Sequence, residues 1–349
     1  MTLTAGRLEQ ILQRIPHLTV GVLGDLFLDR YLDIDATLTE PSIETGLDAY
    51  QVVRVRSYPG AAGTVINNLA ALGVGRILPI AVIGDDGEGC ELRQALEALR
   101  VVALEHVFSH HARRTPTYTK PMLQQAGQPP RELNRLDIKN RSPLPAGAED
   151  KVIAALNAMW PQVDALLVLD QVSEAECGVV TSRVRHQLAE LGDANPEKLI
   201  LADSRERIAH FRSAWTKPNE RECALIAGTN RTNCGPFSVE GCARELARRN
   251  QRPVFCTRGA EGILVASHDP SGAFRTAQVP AYPVAGPIDV VGAGDSTSAG
   301  IACALAGGAT LEEAAAFGNL VASITIQQIG TTGTATLEQV RRRWREVHG

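Results

Sequence analysis

Short apolar runs alternate with helical stripes along the 349-residue chain. The runs lie at 18–23, 76–83, 164–169, 198–202 and 253–257, and they end in Gly24-Asp25, Gly84-Asp85-Asp86, Asp170, Asp203 and Arg258-Gly259. Between them, residues 65–72, 88–99, 175–191, 238–249 and 296–306 place apolar side chains at helical spacing. Repeated strand-then-helix units predict an α/β fold: a doubly wound, mostly parallel sheet flanked by helices. Strands covered on both faces read as continuous apolar runs, as these do. Ligands bind beyond the carboxyl ends of such strands, and here those ends carry Asp and Gly. Near the start of the chain, Leu8, Ile11 and Leu12 fall on one side of a short amphipathic helix.

Two segments break the rhythm. Residues 31–58 contain alternating pieces such as YQVVRV at 50–55. Residues 113–137 contain TPTYTK at 115–120 and then the turn Gly127-Gln128-Pro129-Pro130. Short antiparallel strands outside the main sheet are predicted there, forming a small β lid within a single domain spanning 1–349. Two long surface loops are the alternative. Aromatic residues make up only 4% of the chain, so its core must rest on Ala, Val, Leu and Ile. A net charge of -4 argues against a dedicated nucleic-acid binder. No apolar run approaches the ~18 residues of a membrane span, and no basic-then-apolar leader is apparent at the start. Seven cysteines, an odd number with no C-x-x-C pair, disfavour a disulfide framework or structural zinc and point to a reducing cytoplasm.

The chemistry concentrates at Asp289-Val290-Val291-Gly292-Ala293-Gly294-Asp295-Ser296, followed by a helix of small residues. Gly292 and Gly294 remove side chains where backbone must approach a ligand. The N–H groups of this turn and of the first helical turn make an anion site suited to a phosphate. Asp295 sits in the same turn, placed to accept a proton from an attacking hydroxyl. An anion hole beside a carboxylate base is what phosphoryl transfer to an alcohol requires; a capping Asp after a flexible turn is the structural alternative. A helix N-terminus favours the ionised carboxylate and weakens it as a base, which a loose transition state tolerates. There is no G-x-x-x-x-G-K-[ST] run, and the glycine spacing is not that of a dinucleotide fold.

D-V-V-G-A-G-D-S resembles the signature of the ribokinase-type (phosphofructokinase B-type) sugar kinases, and further motifs follow in that family's order. Gly24-Asp25-Leu26-Phe27-Leu28-Asp29 resembles its first-strand G-D-x-x-x-D, and Gly60-Ala61-Ala62-Gly63-Thr64 its sugar-contacting turn. Gly84-Asp85-Asp86-Gly87-Glu88-Gly89 resembles its G-x-D-x-x-G. Pro218-Asn219-Glu220-Arg221-Glu222 resembles P-N-x-x-E, and Thr257-Arg258-Gly259-Ala260-Glu261-Gly262 resembles T-x-G-x-x-G. Asn319 stands where an Asn borders the adenine site. The resemblance spans roughly 18–340. It implies a ribokinase-like fold and an ATP- and Mg2+-dependent carbohydrate kinase, often K+-dependent and often dimeric through the lid. It further implies Asp295 as general base and Gly292, Ala293 and Gly294 as anion hole. Asp25, Asp29, Gly60, Ala61, Thr64 and Asp170 would meet the sugar. Asn219, Thr257, Gly259, Gly262 and Asn319 would meet ATP, with Asn219 and Glu222 organising Mg2+ through water.

Within the family the chain is most similar to the heptose-phosphate kinase subgroup. The likeness lies in Asp25–Tyr31 (D-x-x-L-D-R-Y), 117–120, Asn134-Arg135-Leu136-Asp137 and Ile329-Gly330-Thr331. Two departures stand out. The subgroup's G-G-A-A-N turn has lost its second Gly and its Asn. Its D-Y-G-K-G loop reads Asp170-Gln171-Val172-Ser173-Glu174, without the Lys suited to a phosphate. The expected activity is therefore phosphoryl transfer to a hydroxyl of a sugar or sugar phosphate, heptose 7-phosphate included. A nucleoside or small-alcohol kinase and a catalytically idle ligand sensor are the alternatives. His106, His110 and His111 lack an acidic partner for a metal site. Arg341–Arg345 reads as a solvated helix end rather than a nucleic-acid patch.

Overall fold

The computed structural model describes residues 3–226, 238–268, 272–330 and 332–349. Cys234 and Thr331 lie outside the described residues. The main sheet has nine strands among them. From one edge to the other these are Phe274–Val279, Ile263–His268, Val254–Thr257, Trp215–Thr216, Leu199–Ser204, Ala165–Asp170, Thr19–Gly24, Arg76–Gly84 and Val107–His110. From Val254–Thr257 to Val107–His110 every pairing is parallel; the other edge is an antiparallel hairpin. At the centre Val20 pairs with Ala165 on one side and Ile77 on the other. Successive side chains of a strand point to opposite faces, and two cores result. Val20, Val22, Leu167 and Leu169 join the helices Ala5–Arg14, Ala62–Ala71, Ala293–Ala306 and Leu311–Thr325. Leu23, Leu166 and Val168 join Ala146–Met159, Ser182–Ala194 and Val239–Asn250.

The chain leaves the central strand Thr19–Gly24 and runs through Asp25 straight into Leu26–Asp35, the spine of a second, five-stranded sheet. Leu26–Asp35 pairs antiparallel with Val52–Ala61 and parallel with Thr117–Gln124. The lid is thus not wholly antiparallel. Thr117–Gln124 arrives after the chain has crossed the main sheet through Arg76–Gly84 and Val107–His110, and so enters the lid from the same side as Leu26. Arg30 reaches Glu91 of the helix Gly87–Glu97 at 2.9 Å, and Ser57 donates to the same carboxylate at 2.7 Å, tying both lid strands to the main body.

The helix predicted at 175–191 begins only at Ser182, where Thr181 accepts the Val184 N–H as cap and Glu176 takes the Ser182 N–H at 3.0 Å. Residues 171–181 instead wrap around Asp25, whose Oδ1 accepts the Val179 N–H at 2.8 Å. Among the described residues no helix is long and apolar enough to cross a membrane.

Candidate active site

The turn before the helix Ala293–Ala306 is built on Gly292, at φ 78°. A Cβ there would lie 2.6 Å from the Thr332 methyl, so no other residue fits without displacing that loop. Ala293 N–H turns back to the Val290 carbonyl at 3.1 Å. Gly294 and Asp295 are then the first-turn donors without an intrahelical acceptor. Of the first turn's N–H groups that the sequence offers to an anion, Gly294 and Asp295 thus keep theirs free of the helix, and Ala293 does not. Ala293 shapes the turn rather than donating to a ligand.

Asp295 is only partly accessible. Burial pushes its carboxyl up to about 7; Asp203 and Asp29 add to the rise, while Lys217 and Arg205 oppose it. Asp203, next to last in the strand Leu199–Ser204, accepts from Ser298 Oγ at 3.0 Å and pairs with Lys217 Nζ at 3.0 Å. Ser298 lies one helical turn beyond Asp295, so strand end and helix are tied directly below the carboxylate. Lys217 is itself buried. Its burial would lower its pKa, but Asp203, Glu222 and Asp295 hold it above its ordinary value. Neither Asp203 nor Lys217 was singled out from the sequence. The only signals were an apolar run ending in Asp203 and a Lys directly before Pro218-Asn219.

On one side of this centre opens a largely apolar cavity of about 580 Å³. Thr257, Gly259, Gly262 and Asn319 line it together with Ala293 and Gly294, so residues spread over sixty positions converge there. Asn319 Nδ2 is spent on the Val279 and Pro280 carbonyls at 3.1 and 3.0 Å; it shapes the cavity wall. Asn219 and Glu222 form a capping box at the start of the helix Glu220–Ala224. Asn219 Oδ1 accepts the Glu222 N–H, and Glu222 Oε2 accepts the Asn219 N–H, each at 2.8 Å. Burial, then Asp203, raises the Glu222 carboxyl, with Lys217 and Arg205 opposing. Asp203, Glu222 and Asp295 thus face two cations, Lys217 and Arg205, and this excess of negative charge suits a hard dication with oxygen ligands.

On the other side lies a narrow polar cavity of about 30 Å³ between main sheet and lid. Asp25, Phe27, Arg113, Tyr118, Lys139 and Arg205 are among its walls. Asp25 Oδ2 and Arg113 Nε are buried without hydrogen-bond partners. Burial pushes the Asp25 carboxyl up to about 7. Asp29, four residues on, faces a further small cavity of about 40 Å³ with Tyr31, Arg56, Tyr58 and Asn67. Lys120 Nζ stands 3.6 Å from its carboxylate and donates to Tyr31 at 3.1 Å. Gly60 brings backbone against Asp29, since a Cβ there would sit 3.0 Å from the carboxyl. Ala61 follows at φ 52°, a strained setting for a residue with a Cβ.

Two expectations are corrected. Asp170 does not present its carboxylate to either cavity. Arg207 takes Oδ1 at 2.6 Å and Oδ2 at 3.0 Å, and Ser204 donates to Oδ2 at 2.7 Å. Through Arg207, which also holds the Val172 and Ser173 carbonyls, Asp170 builds the loop 171–174. Thr64 is buried under the Gly292 turn, its methyl 3.6 Å from the Cβ position at Gly292, and it supports the turn instead of meeting a sugar.

A mostly parallel sheet capped by a β lid, with an unpaired helix start beside a large apolar cavity, is the ribokinase-like fold. The profile of the pfkB family carbohydrate kinases matches residues 27–337, and the chain belongs to that family. The Bifunctional protein HldE of Syntrophotalea carbinolica is 29% identical over 337 residues, covering 95% of this chain and 64% of that protein. The chain thus spans about 64% of the length of the curated relatives it matches. Two solved structures are similar in fold. Phosphofructokinase-2 of Escherichia coli, in complex with potassium, has a TM-score of 0.66 at 19% identity, covering 95% of this chain and 100% of that one. Ribokinase of Thermotoga maritima has a TM-score of 0.65 at 19% identity, covering 94% and 99%.

Proposed function

We propose that this chain transfers the γ-phosphoryl group of ATP to a hydroxyl of a sugar phosphate, heptose 7-phosphate being the leading candidate. The observation that carries the reading is the position of Asp295. Its neighbour Gly294 lines the large apolar cavity, while Asp29 and Arg205 of the polar side act on its charge. A hydroxyl held between Asp29 and Asp295 would face a nucleotide laid along Thr257, Gly259, Gly262 and Asn319. Gly294 and Asp295 N–H groups, with Lys217, would take the charge of the moving phosphoryl group. Asp295 accepts the hydroxyl proton as the oxygen attacks. Glu222 and Asp203 would hold Mg2+ through water, with Asn219 fixing Glu222 by the capping box; the bound ion supplies charge neutralisation at the phosphates. A K+ site near the Asp289 backbone belongs to the same reading.

The phosphate on the acceptor is inferred from charge. The loop 170–174 lacks a Lys, yet Lys139, Arg205 and Arg113 enter the same polar cavity from the lid and the strand end. They outnumber the carboxylates there, Asp25 and Glu174. A phosphate monoester at the far end of the sugar would be met by cations from new positions. The chain reads as one kinase domain, 1–349, with lid segments about 31–58 and 113–137. It would act in the cytoplasm, where its six described cysteines, none of them in a disulfide, stay reduced. Exposed Ile43, Leu47, Val53, Val55 and Leu136 on the lid suit a homodimer formed through it.

The test is a coupled ATP-consumption screen with Mg2+ and K+ over free sugars, sugar phosphates including heptose 7-phosphate, and nucleosides. Turnover on a sugar phosphate that falls on changing Lys139 to Ala supports the assignment. Turnover confined to unphosphorylated sugars places the lost loop Lys, and not Lys139, at the root of specificity. Turnover on nucleosides alone would sink the sugar reading.

A further inference from the structure

The helix Leu337–His348 carries the basic run that the sequence reads as a solvated face. The structure divides it. Arg341 pairs with Glu9 at 2.9 Å, and Arg342 reaches Glu346 at 3.8 Å. Arg343 turns inward, with its side chain 14% exposed. It donates from Nη2 to the Pro283 carbonyl and from Nε to Ser323 Oγ at 3.2 Å, while Nη1 pairs with Glu346 at 3.3 Å. The Ser323 hydroxyl gives its own proton to the Leu320 carbonyl at 2.8 Å, so it accepts from Arg343 in a fixed orientation.

Pro283 and Ser323 both line the large apolar cavity, but from different elements. Ser323 belongs to the helix Leu311–Thr325. Pro283 belongs to residues 280–287, which form neither helix nor strand. Pro280, Pro283 and Pro287 have no N–H to give to a ladder, so this wall depends on side chains to hold its carbonyls. Asn319 holds Val279 and Pro280; Arg343 holds Pro283. The same helix supports the wall at a second point, where the His348 ring stands edge-on to Tyr282 at 5.7 Å and stacks on Trp344 at 4.3 Å.

We propose that Arg343 is a positioning residue for the nucleotide: it braces the 280–287 wall against the helix Leu311–Thr325 and so sets the width of the slot that receives the base. This rests on the large cavity being the nucleotide site. The planar guanidinium serves both tie points from one rigid fork, which a Lys ammonium on a flexible stem does not reproduce.

The experiment compares Arg343→Lys, Ser323→Ala and Ala322→Trp with the unaltered protein. Calorimetric titration with Mg-ATP and steady-state kinetics are read together. Arg343→Lys is expected to raise the ATP Kd and KM by roughly tenfold, the weight of one hydrogen bond to a charged group. The acceptor KM and kcat at saturating ATP stay unchanged. Ser323→Ala, which removes one tie point and leaves Arg343 in place, should shift ATP affinity the same way by less, and it keeps the test open if Arg343→Lys does not fold. Ala322→Trp fills the cavity and should abolish ATP binding. Wild-type ATP affinity in both brace variants, with binding lost in Ala322→Trp, overturns the brace and leaves the nucleotide site standing. Wild-type affinity in all three overturns the site itself. Acceptor KM rising in step with ATP KM would reduce Arg343 to a general structural residue.

Discussion

Replacing Asp295 by Asn should slow turnover sharply and make the protein more stable. An ordinary Asp titrates near 3.9 in an unfolded chain, while burial and Asp203 hold Asp295 at about 7. The folded state therefore keeps this proton more tightly than the unfolded state does. Stability is fully present below about pH 4 and falls as pH rises towards 7, where the folded group also ionises. About three pKa units at 1.36 kcal/mol each set a ceiling near 4 kcal/mol. The partial accessibility of Asp295 lowers the expectation to roughly 2–3 kcal/mol. An amide cannot ionise, so Asp295→Asn escapes this loss and also relieves repulsion with Asp203. Thermal unfolding followed from pH 4 to pH 8 should show the two proteins coinciding at pH 4. At pH 8 the variant should melt several degrees higher, at no more than roughly 2–4 °C per kcal/mol in a chain of this size. Turnover should fall by about 10²–10⁴, the range for a lost general base, with ATP affinity unchanged or slightly tighter. Near-normal turnover refutes the base; equal melting at every pH refutes the electrostatic account even if turnover falls.

Two further outcomes follow from the same site and from the lid. The rate with limiting acceptor should rise with pH below about 7 and level off above it, because Asp295 must be ionised to accept a proton; a profile flat from pH 5.5 to 8 would assign the base elsewhere. Changing Ile43 and Val53 to Glu should convert a dimer to a monomer by light scattering, since both side chains stand exposed on the lid; an unchanged mass would refute assembly through that face.

The sheet was legible because its strands are buried on both faces and so write themselves as apolar runs. Thr19–Gly24 and Ala165–Asp170 deviate by one residue from their predicted limits. The turn at Gly292 was legible because backbone chemistry fixes its residues. Periodicity failed where burial has no preferred side. The helix Leu311–Thr325 is buried nearly all round and offers no stripe to detect. Side-chain roles were least legible where partners are remote in sequence. Asp170 reads as a ligand residue from its strand-end position, yet Arg207, thirty-seven positions on, consumes its carboxylate. Arg343 reads as solvated until the Pro283 carbonyl is folded against it. No local pattern announces Lys217, because its meaning comes from Asp203 and Gly294, which meet it only in the fold.

Lys217 is also where structural and chemical demands on the site can be separated. Its ammonium is 3.0 Å from Asp203 and would be 3.7 Å from a Cβ placed on Gly294, so it lies against the start of the catalytic helix. Removing it as Lys217→Met leaves Asp203 buried without its partner, and breaking a buried pair in this way costs about 3–5 kcal/mol. A fall in activity from that single change would therefore be ambiguous. Adding Asp203→Asn removes the stranded charge, and most of the lost stability should return. Turnover should not return with it. In the proposed reading the ammonium would stand beside a phosphoryl group lying over Gly294, and losing such a group costs about 10²–10³ in rate. Unfolding and turnover measured on the single and double variants give the answer. If the double variant regains turnover along with stability, Lys217 is only the structural partner of Asp203, and the charge of the transferred group must be met by Gly294, Asp295 and Arg205 without it.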